Sequence, residues 1–163
     1  MNEWVRVYTY KTGLLSPVAH DLQLTLDKWS IRRDGGEIIF EAWPDSLQVD
    51  GAMVRGKLQP RGINDKDRRK IRKNIREKIL ETKANPKVVF RGRETRDSIV
   101  GSLRMKSQTH DIEFATTEQA GTLRGEIEIQ PSRWGVAPFR ALGGAIKLQN
   151  RVRVVFCIKT SPG

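Results

Sequence analysis

Two histidines each stand next to an aspartate: His20 before Asp21, and His110 before Asp111. An imidazole held by a carboxylate is the commonest general base of enzymes. Adjacent residues of a strand, however, point to opposite faces. Both pairs fall in or at strand-like segments, so neither is oriented as a dyad. Hydrogen bonding at a turn or strand end is the reading they support. Cys157, the only cysteine, alternates with Phe156 and Ile158 and falls on the opposite face from them. One cysteine excludes an intrachain disulfide and a cysteine-rich metal site. Two histidines are too few for a histidine-based metal cluster. No nucleophile motif surrounds a Ser, Thr or Cys, and no glycine-rich loop leads into a helix to cradle phosphate. The chain is therefore expected to be non-catalytic, with no metal and no cofactor.

The cations suggest a different chemistry. The formal net charge is +11 over 163 residues and the pI is about 10.2, which favours acidic partners such as nucleic acid or an anionic surface. The stretch NDKDRRKIRKNIREKIL concentrates this charge in Lys66, Arg68, Arg69, Lys70, Arg72, Lys73, Arg76 and Lys78. Arg68, Arg69, Arg72, Lys73 and Arg76 are the candidate polyanion contacts. A face that neutralised about six DNA phosphates would lose on the order of 10³-fold in affinity between 50 and 200 mM salt. Base readout would need more than Asn74, and a single helix is not a helix-turn-helix. The plainer alternative is a solvated outer face on a packed helix.

The elements that must position these groups are mostly strands. Trp4 to Tyr10 is rich in aromatic and β-branched residues, and Leu22, Leu24 and Leu26 alternate with polar neighbours. After the turn signal Asp34-Gly35-Gly36, Ile38 to Trp43 continues past Pro44 to Val49. A helix over about 64–80 follows, with Asn64 as its N-cap and Asp65 and Asp67 in its first turn. Ile71, Ile75 and Ile79 make a narrow apolar stripe of roughly 80°, suited to lying across a sheet. Asn85-Pro86 stops further helix. Five more alternating segments follow, around Phe90, Leu103, Phe114, Ile127 and Val154. Eight antiparallel strands and one helix predict a single domain, 1–163, mainly β: a barrel with the helix packed beside it. A two-sheet sandwich is the alternative from patterning alone. No apolar run reaches the ~18 residues of a membrane span. MNEWVRVYTYK lacks the apolar core of a secretory signal, so the expected location is cytoplasmic.

Several segments are similar to one family. SPVAHDLQLTLDKWSI resembles the opening strand region of YceI-like proteins, where a His precedes an alternating strand. DRRKIRKNIREKILETKANPKVVFRG resembles that family's helix and its Asn-Pro entry to the next strand, here Asn85-Pro86 leading to Phe90. VGSLRMKSQTHDIEF resembles its central hairpin. PSRWGVAPFRALGGAIKLQNRVRVVF resembles the aromatic-Gly-aliphatic motif before its last strand, here Trp134-Gly135-Val136. The resemblance implies an eight-stranded lipocalin-like barrel, often paired as a dimer. It also implies a hydrophobic tunnel for a long amphiphile, an isoprenoid or fatty-acid derivative. The chain resembles the leaderless members. It departs from the pattern at Lys106-Ser107, where a glycine-containing turn is usual, and in the charge of its helix.

Such a site needs a dry apolar channel with one polar mouth. The inward-phase residues that would line it include Leu22, Leu24, Leu26, Phe40, Phe90, Leu103, Met105, Phe114 and Phe156. Trp134 and Phe139 add an aromatic wall from the loop before the last strand, flanked by Arg133 and Arg140 as headgroup cations. Gly92, Gly101 and Gly125 fall on the same inward phase. They either leave space for a tunnel or permit the strand bends a barrel needs. Taken alone, the apolar residues read first as a filled core.

Overall fold

The computed structural model describes residues 3–12, 20–141 and 146–160. The elements in chain order are β1 (Trp4–Lys11), β2 (Asp21–Leu26), β3 (Trp29–Asp34), β4 (Glu37–Ala42), β5 (Leu47–Val54), β6 (Lys57–Gln59), α1 (Asp65–Asn74), β7 (Val88–Glu94), β8 (Ser98–Met105), β9 (Gln108–Gln119), β10 (Thr122–Ile129), β11 (Arg140–Ala141) and β12 (Ile146–Lys159). Eleven strands form one hydrogen-bonded succession, β3-β4-β7-β8-β9-β10-β12-β1-β2-β5-β6, and β11 pairs with β12 off this path. Every pairing is antiparallel.

The expected eight strands are thus corrected to eleven. Two of the extra strands are largely exposed: β6 has no apolar alternation, and in β3 it is confined to Trp29 and Ile31 before a polar run. The third arises because the run from Ile38 to Val49 is cut in two by a 3₁₀ turn at Pro44–Ser46. Proline lacks an N–H and cannot continue the ladder. Across this break, Ser46 holds the neighbouring strand. Lys28 N donates to Ser46 Oγ (2.8 Å), Asp27 N donates to Ser46 O (3.3 Å), and Trp43 N donates to Lys28 O (3.1 Å). Because β2 runs through Asp27-Lys28 into β3, and β4 runs through Trp43–Ser46 into β5, the chain ties both ends of the succession together. The sheet curls around an interior.

Two-residue turns with positive φ at both positions join the hairpins at Gly35-Gly36, Arg55-Gly56, Lys106-Ser107 and Ala120-Gly121. This is the twist that matches antiparallel strands. Lys106-Ser107 adopts it without glycine (φ 49° and 64°). Lys106 Nζ also reaches Ile79 O (3.5 Å) and Glu81 (3.8 Å), so this turn holds the far end of the helical segment.

The expected helix is present in two parts. α1 ends at Asn74, and a π-helical turn, Ile75–Ile79, continues it, with Leu80 N donating to Ile75 O (3.0 Å). Asn64 caps it as expected, its side-chain oxygen accepting from Asp67 N (2.8 Å). Ile71 and Ile75 pack on one buried cluster, around Leu24 and Val49, while Ile79 and Leu80 pack on a second, around Phe90 and Trp134. The helical segment therefore spans both halves of the interior. Among the described residues, no helix is long and apolar enough to cross a membrane.

Replacing Asn64 by Ala removes the cap and is expected to lower stability by about 1 kcal/mol. A shifted urea midpoint with an unchanged slope checks this; an unchanged midpoint would mean the tertiary anchors of the helix suffice without it.

Candidate functional site

The curled sheet is not filled by its own side chains. It encloses a cavity of about 730 Å³. Period-two alternation aims one face of each strand into it. Leu22, Leu24 and Leu26 come from β2, Phe40 from β4, Phe90 from β7, Leu103 and Met105 from β8, Phe114 from β9 and Phe156 from β12; Phe139 joins from the loop before β11. Ile71, Ile75, Ile79 and Leu80 cover the cavity from the helical segment. The sequence reading treated the three isoleucines as the stripe that packs the helix. β1 contributes Val5, Val7 and Thr9. Its larger aromatics lie on the opposite face, where arginines stack on them: Arg6 over Trp4 (4.1 Å), Arg153 over Tyr8 (4.6 Å) and Arg151 over Tyr10 (4.0 Å). Hydrophobicity alone would have turned that strand the other way.

The inward glycines make room for rings. A Cβ on Gly125 would stand 2.3 Å from Phe156 Cζ, and one on Gly92 would stand 2.5 Å from Phe90 Cζ. Gly101, opposite Gly92 in the ladder, has Phe90 Cζ at 2.7 Å from the same virtual atom. The distal ends of both phenylalanines lie over glycine backbone. Phe114 bridges them, its centroid 5.8 Å from that of Phe90 and 6.0 Å from that of Phe156. A band of three rings thus lies along the wall, and the volume each glycine forgoes is taken up by a ring. The glycines therefore act through the rings they accommodate, a role absent from both sequence readings.

Polar lining is sparse and gathers toward one end. Thr9 pairs with both Leu22 and Val152, so it lies close to His20 and Gln149, which also line the cavity. Arg151 borders it too, but its guanidinium is held on the outer face by the Tyr10 ring and the Glu128 carboxylate (3.1 Å). Asp67, Lys70 and Asn74 of α1 complete the polar set. Arg68, near the start of α1, donates to Asp50 O (3.1 Å), close to the Leu22 end of β2, whereas Arg72 donates to Leu47 O (3.1 Å), opposite Leu26. The N-terminal half of α1 therefore lies at the His20 end. The sequence offered no signal for these groups, because the mouth is assembled from four separate elements.

Other expectations need correction. Trp134 is buried but does not line the cavity. Its indole N–H donates to Leu103 O (2.8 Å), and its ring meets His110 edge-on at 5.2 Å. The 3₁₀ turn Pro131–Trp134 directs it into the wall. Arg133, the residue before it, stacks over that ring (5.1 Å) instead of reaching the lumen. The Arg140 side chain lies outside the described residues, as do Ser16–Ala19 of the first family-like segment and residues 142–145 of the last.

Of the five cations assigned to a polyanion, three are engaged with the protein itself. Arg68 donates to Ile63 O (3.1 Å) and Asp50 O, and also to Pro60 O; Arg72 donates to Leu47 O; Arg76 pairs with Asp45 (2.9 Å). These bonds fasten the helix to β5 and its flanking turns. Arg69 and Lys73 remain exposed. Neither His–Asp pair forms a dyad: Asp21 accepts from Lys11 N (2.8 Å) and Asp111 from Ser102 Oγ (2.8 Å). Among the described residues no group of three or more His, Cys, Asp or Glu could hold a metal ion. On the outer face, partial burial lowers the pKa of Arg153, but the Glu126 carboxylate bonded to it (3.0 Å) and the Tyr10 phenol together outweigh this and leave the pKa raised.

The family model of the YceI-like domain matches residues 29–160. Three solved structures are similar in fold. A polyisoprenoid-binding domain from Saccharophagus degradans, implicated in plant cell wall breakdown, has 9% identity and a TM-score of 0.61, covering 95% of this chain and 91% of that one. Burkholderia cenocepacia BcnA has 13% identity and a TM-score of 0.57, covering 94% of each chain. A mutant CJ YceI protein with a monobromobimane guest has 11% identity and a TM-score of 0.52, covering 83% of this chain and 81% of that one. No curated protein matches.

Substituting Gly125 by Ala should push the Phe156 ring off the wall and destabilise the fold by about 1–3 kcal/mol. In a Phe156→Ala background the same change should cost under about 0.5 kcal/mol, because its partner is gone. A double-mutant cycle in urea checks this, and additive effects would contradict the ring-over-glycine packing.

Proposed function

The chain belongs to the YceI-like family, and on that footing we propose that it is a non-catalytic binding or carrier protein for a long-chain amphiphile held inside the curled sheet. The observation that carries this reading is the unfilled apolar interior of about 730 Å³, walled by leucines and phenylalanines and polar at one end. Ligand pockets of this kind are mostly apolar, with a few polar groups that fix orientation.

Magnitudes set the chain length. At roughly 30 Å³ per water-sized group, the cavity has room for on the order of twenty carbons. Burying a methylene contributes about 0.8 kcal/mol, so twenty give roughly 16 kcal/mol gross, against an association cost of about 4–15 kcal/mol. Ten carbons, at about 8 kcal/mol, barely suffice. A chain of fifteen to twenty carbons both fits and binds. Because the Saccharophagus domain is described as polyisoprenoid-binding, an isoprenoid chain is the first to test, with a fatty acyl chain of equal length beside it. The polar head would rest at the end where Thr9, His20 and Lys70 lie, not at Arg133.

Val154 lies mid-wall, paired with Val7 on one side and Ile127 on the other. Val154→Trp fills the lumen without removing a hydrogen bond. It should weaken binding of a fluorescent long-chain probe at least tenfold, or about 1.4 kcal/mol, while the circular dichroism spectrum stays unchanged. Equal affinity in parent and variant would place the probe outside the lumen.

A further inference from the structure

The charge left on the outside of the helix has a geometry of its own. Counting about 100° per residue, Lys66, Arg69 and Lys73 stand roughly 140–160° around α1 from Ile71. Ile71 faces the lumen, so these three face away from the protein, and all are exposed. Next to the start of α1 stands the β5–β6 hairpin, whose tip carries Arg55 and Lys57, with Arg61 just beyond it; these too are exposed. Among the described residues, none of these six cations has a carboxylate partner within ion-pair distance.

A second observation lies in the same place. Three large hydrophobic residues are exposed among those described, and two of them, Val54 (49%) and Leu58 (36%), are on this hairpin. The hairpin rises from the polar end of the cavity, since Met53 pairs with Asp21, the neighbour of His20. Apolar tips set among unpaired cations suit the boundary between lipid headgroups and acyl chains, where apolar side chains insert and cations meet anionic headgroups. A nucleic-acid phosphate surface would make no use of Val54 and Leu58.

We propose that the β5–β6 hairpin and the outer face of α1 form one docking surface for an anionic lipid bilayer, set beside the polar end of the lumen. The surface is defined by exposed side chains and holds whatever the cavity contains. The test is co-flotation of the full chain with vesicles of phosphatidylcholine alone, and with vesicles that also contain phosphatidylglycerol. Retention is expected only with phosphatidylglycerol and should fall as salt rises, because exposed charges are screened. The combined variant Lys66→Glu, Arg69→Glu, Lys73→Glu should reduce retention at least tenfold, as should Arg55→Glu with Lys57→Glu. Val54→Ser with Leu58→Ser should reduce it while leaving weak retention on duplex DNA unchanged. Equal retention on both vesicle types, no retention on either, or charge variants that float like the parent would overturn the proposal. So would DNA binding as tight as vesicle binding with no effect of the serine pair. Binding of a soluble long-chain probe, measured in parallel, separates the two ideas. Probe binding without vesicle retention removes the docking surface alone, and vesicle retention without probe binding removes the carrier reading alone.

Discussion

The structure depends on one constraint: the inner face of the sheet must be apolar enough to hold the fold together and yet must not fill the space it encloses. A curled sheet either closes on its own side chains or leaves room for a ligand, according to which side chains its inner face carries. Here Phe90 and Phe156 lie over the backbone of Gly92, Gly101 and Gly125, so their bulk thickens the wall instead of crossing the interior. Phe114 continues the band between them. The rings still bury apolar surface, which stabilises the sheet, and the cavity remains. Fold stability and an open lumen are compatible because small and large residues are paired on the same wall.

The helical segment answers to the same constraint. Its apolar residues finish the lumen, but a stripe this narrow fixes its position weakly. Arg68, Arg72 and Arg76 supply the rest by bonding to carbonyls of Asp50, Ile63, Pro60 and Leu47 and to the Asp45 carboxylate. The basic stretch is therefore two sets of cations on one helix. The lateral set clamps the helix across the interior, and the outer set, Lys66, Arg69 and Lys73, faces solvent. One-dimensional counting merges them into a single charge run; the 100° step and the position of Ile71 divide them.

Much of this was legible in the residues. The period-two runs located the lumen-facing side chains, because an alternating strand has one apolar face whichever way the sheet curls. Leu22, Leu24, Leu26, Phe40, Phe90, Leu103, Met105, Phe114, Phe139 and Phe156 all reach the cavity. Asn64 was legible as a cap for the local reason that its side chain bonds three residues ahead. What failed was non-local. β6 is a polar, exposed strand held by pairing with β5, and β3 alternates only over Trp29 and Ile31 before it turns polar, too short a period to mark a strand; its pairing with β4 holds it. Trp134 was assigned to the lumen by its aromatic character, but a 3₁₀ turn and a carbonyl on β8 decide where it points. The polar mouth is drawn from β1, β2, α1 and β12 and exists only once they are assembled.

The central claim is that the lumen, and not an outer surface, takes up an amphiphilic chain. The most direct measurement is anomalous diffraction from crystals grown with an isoprenoid or fatty-acid analogue brominated along its chain. Bromine peaks inside the sheet between Phe114 and Val154, with the polar head toward His20 and Lys70, are the predicted result. Bromine confined to the outer face, with the Phe90 and Phe156 rings swung inward to fill the space, would contradict it.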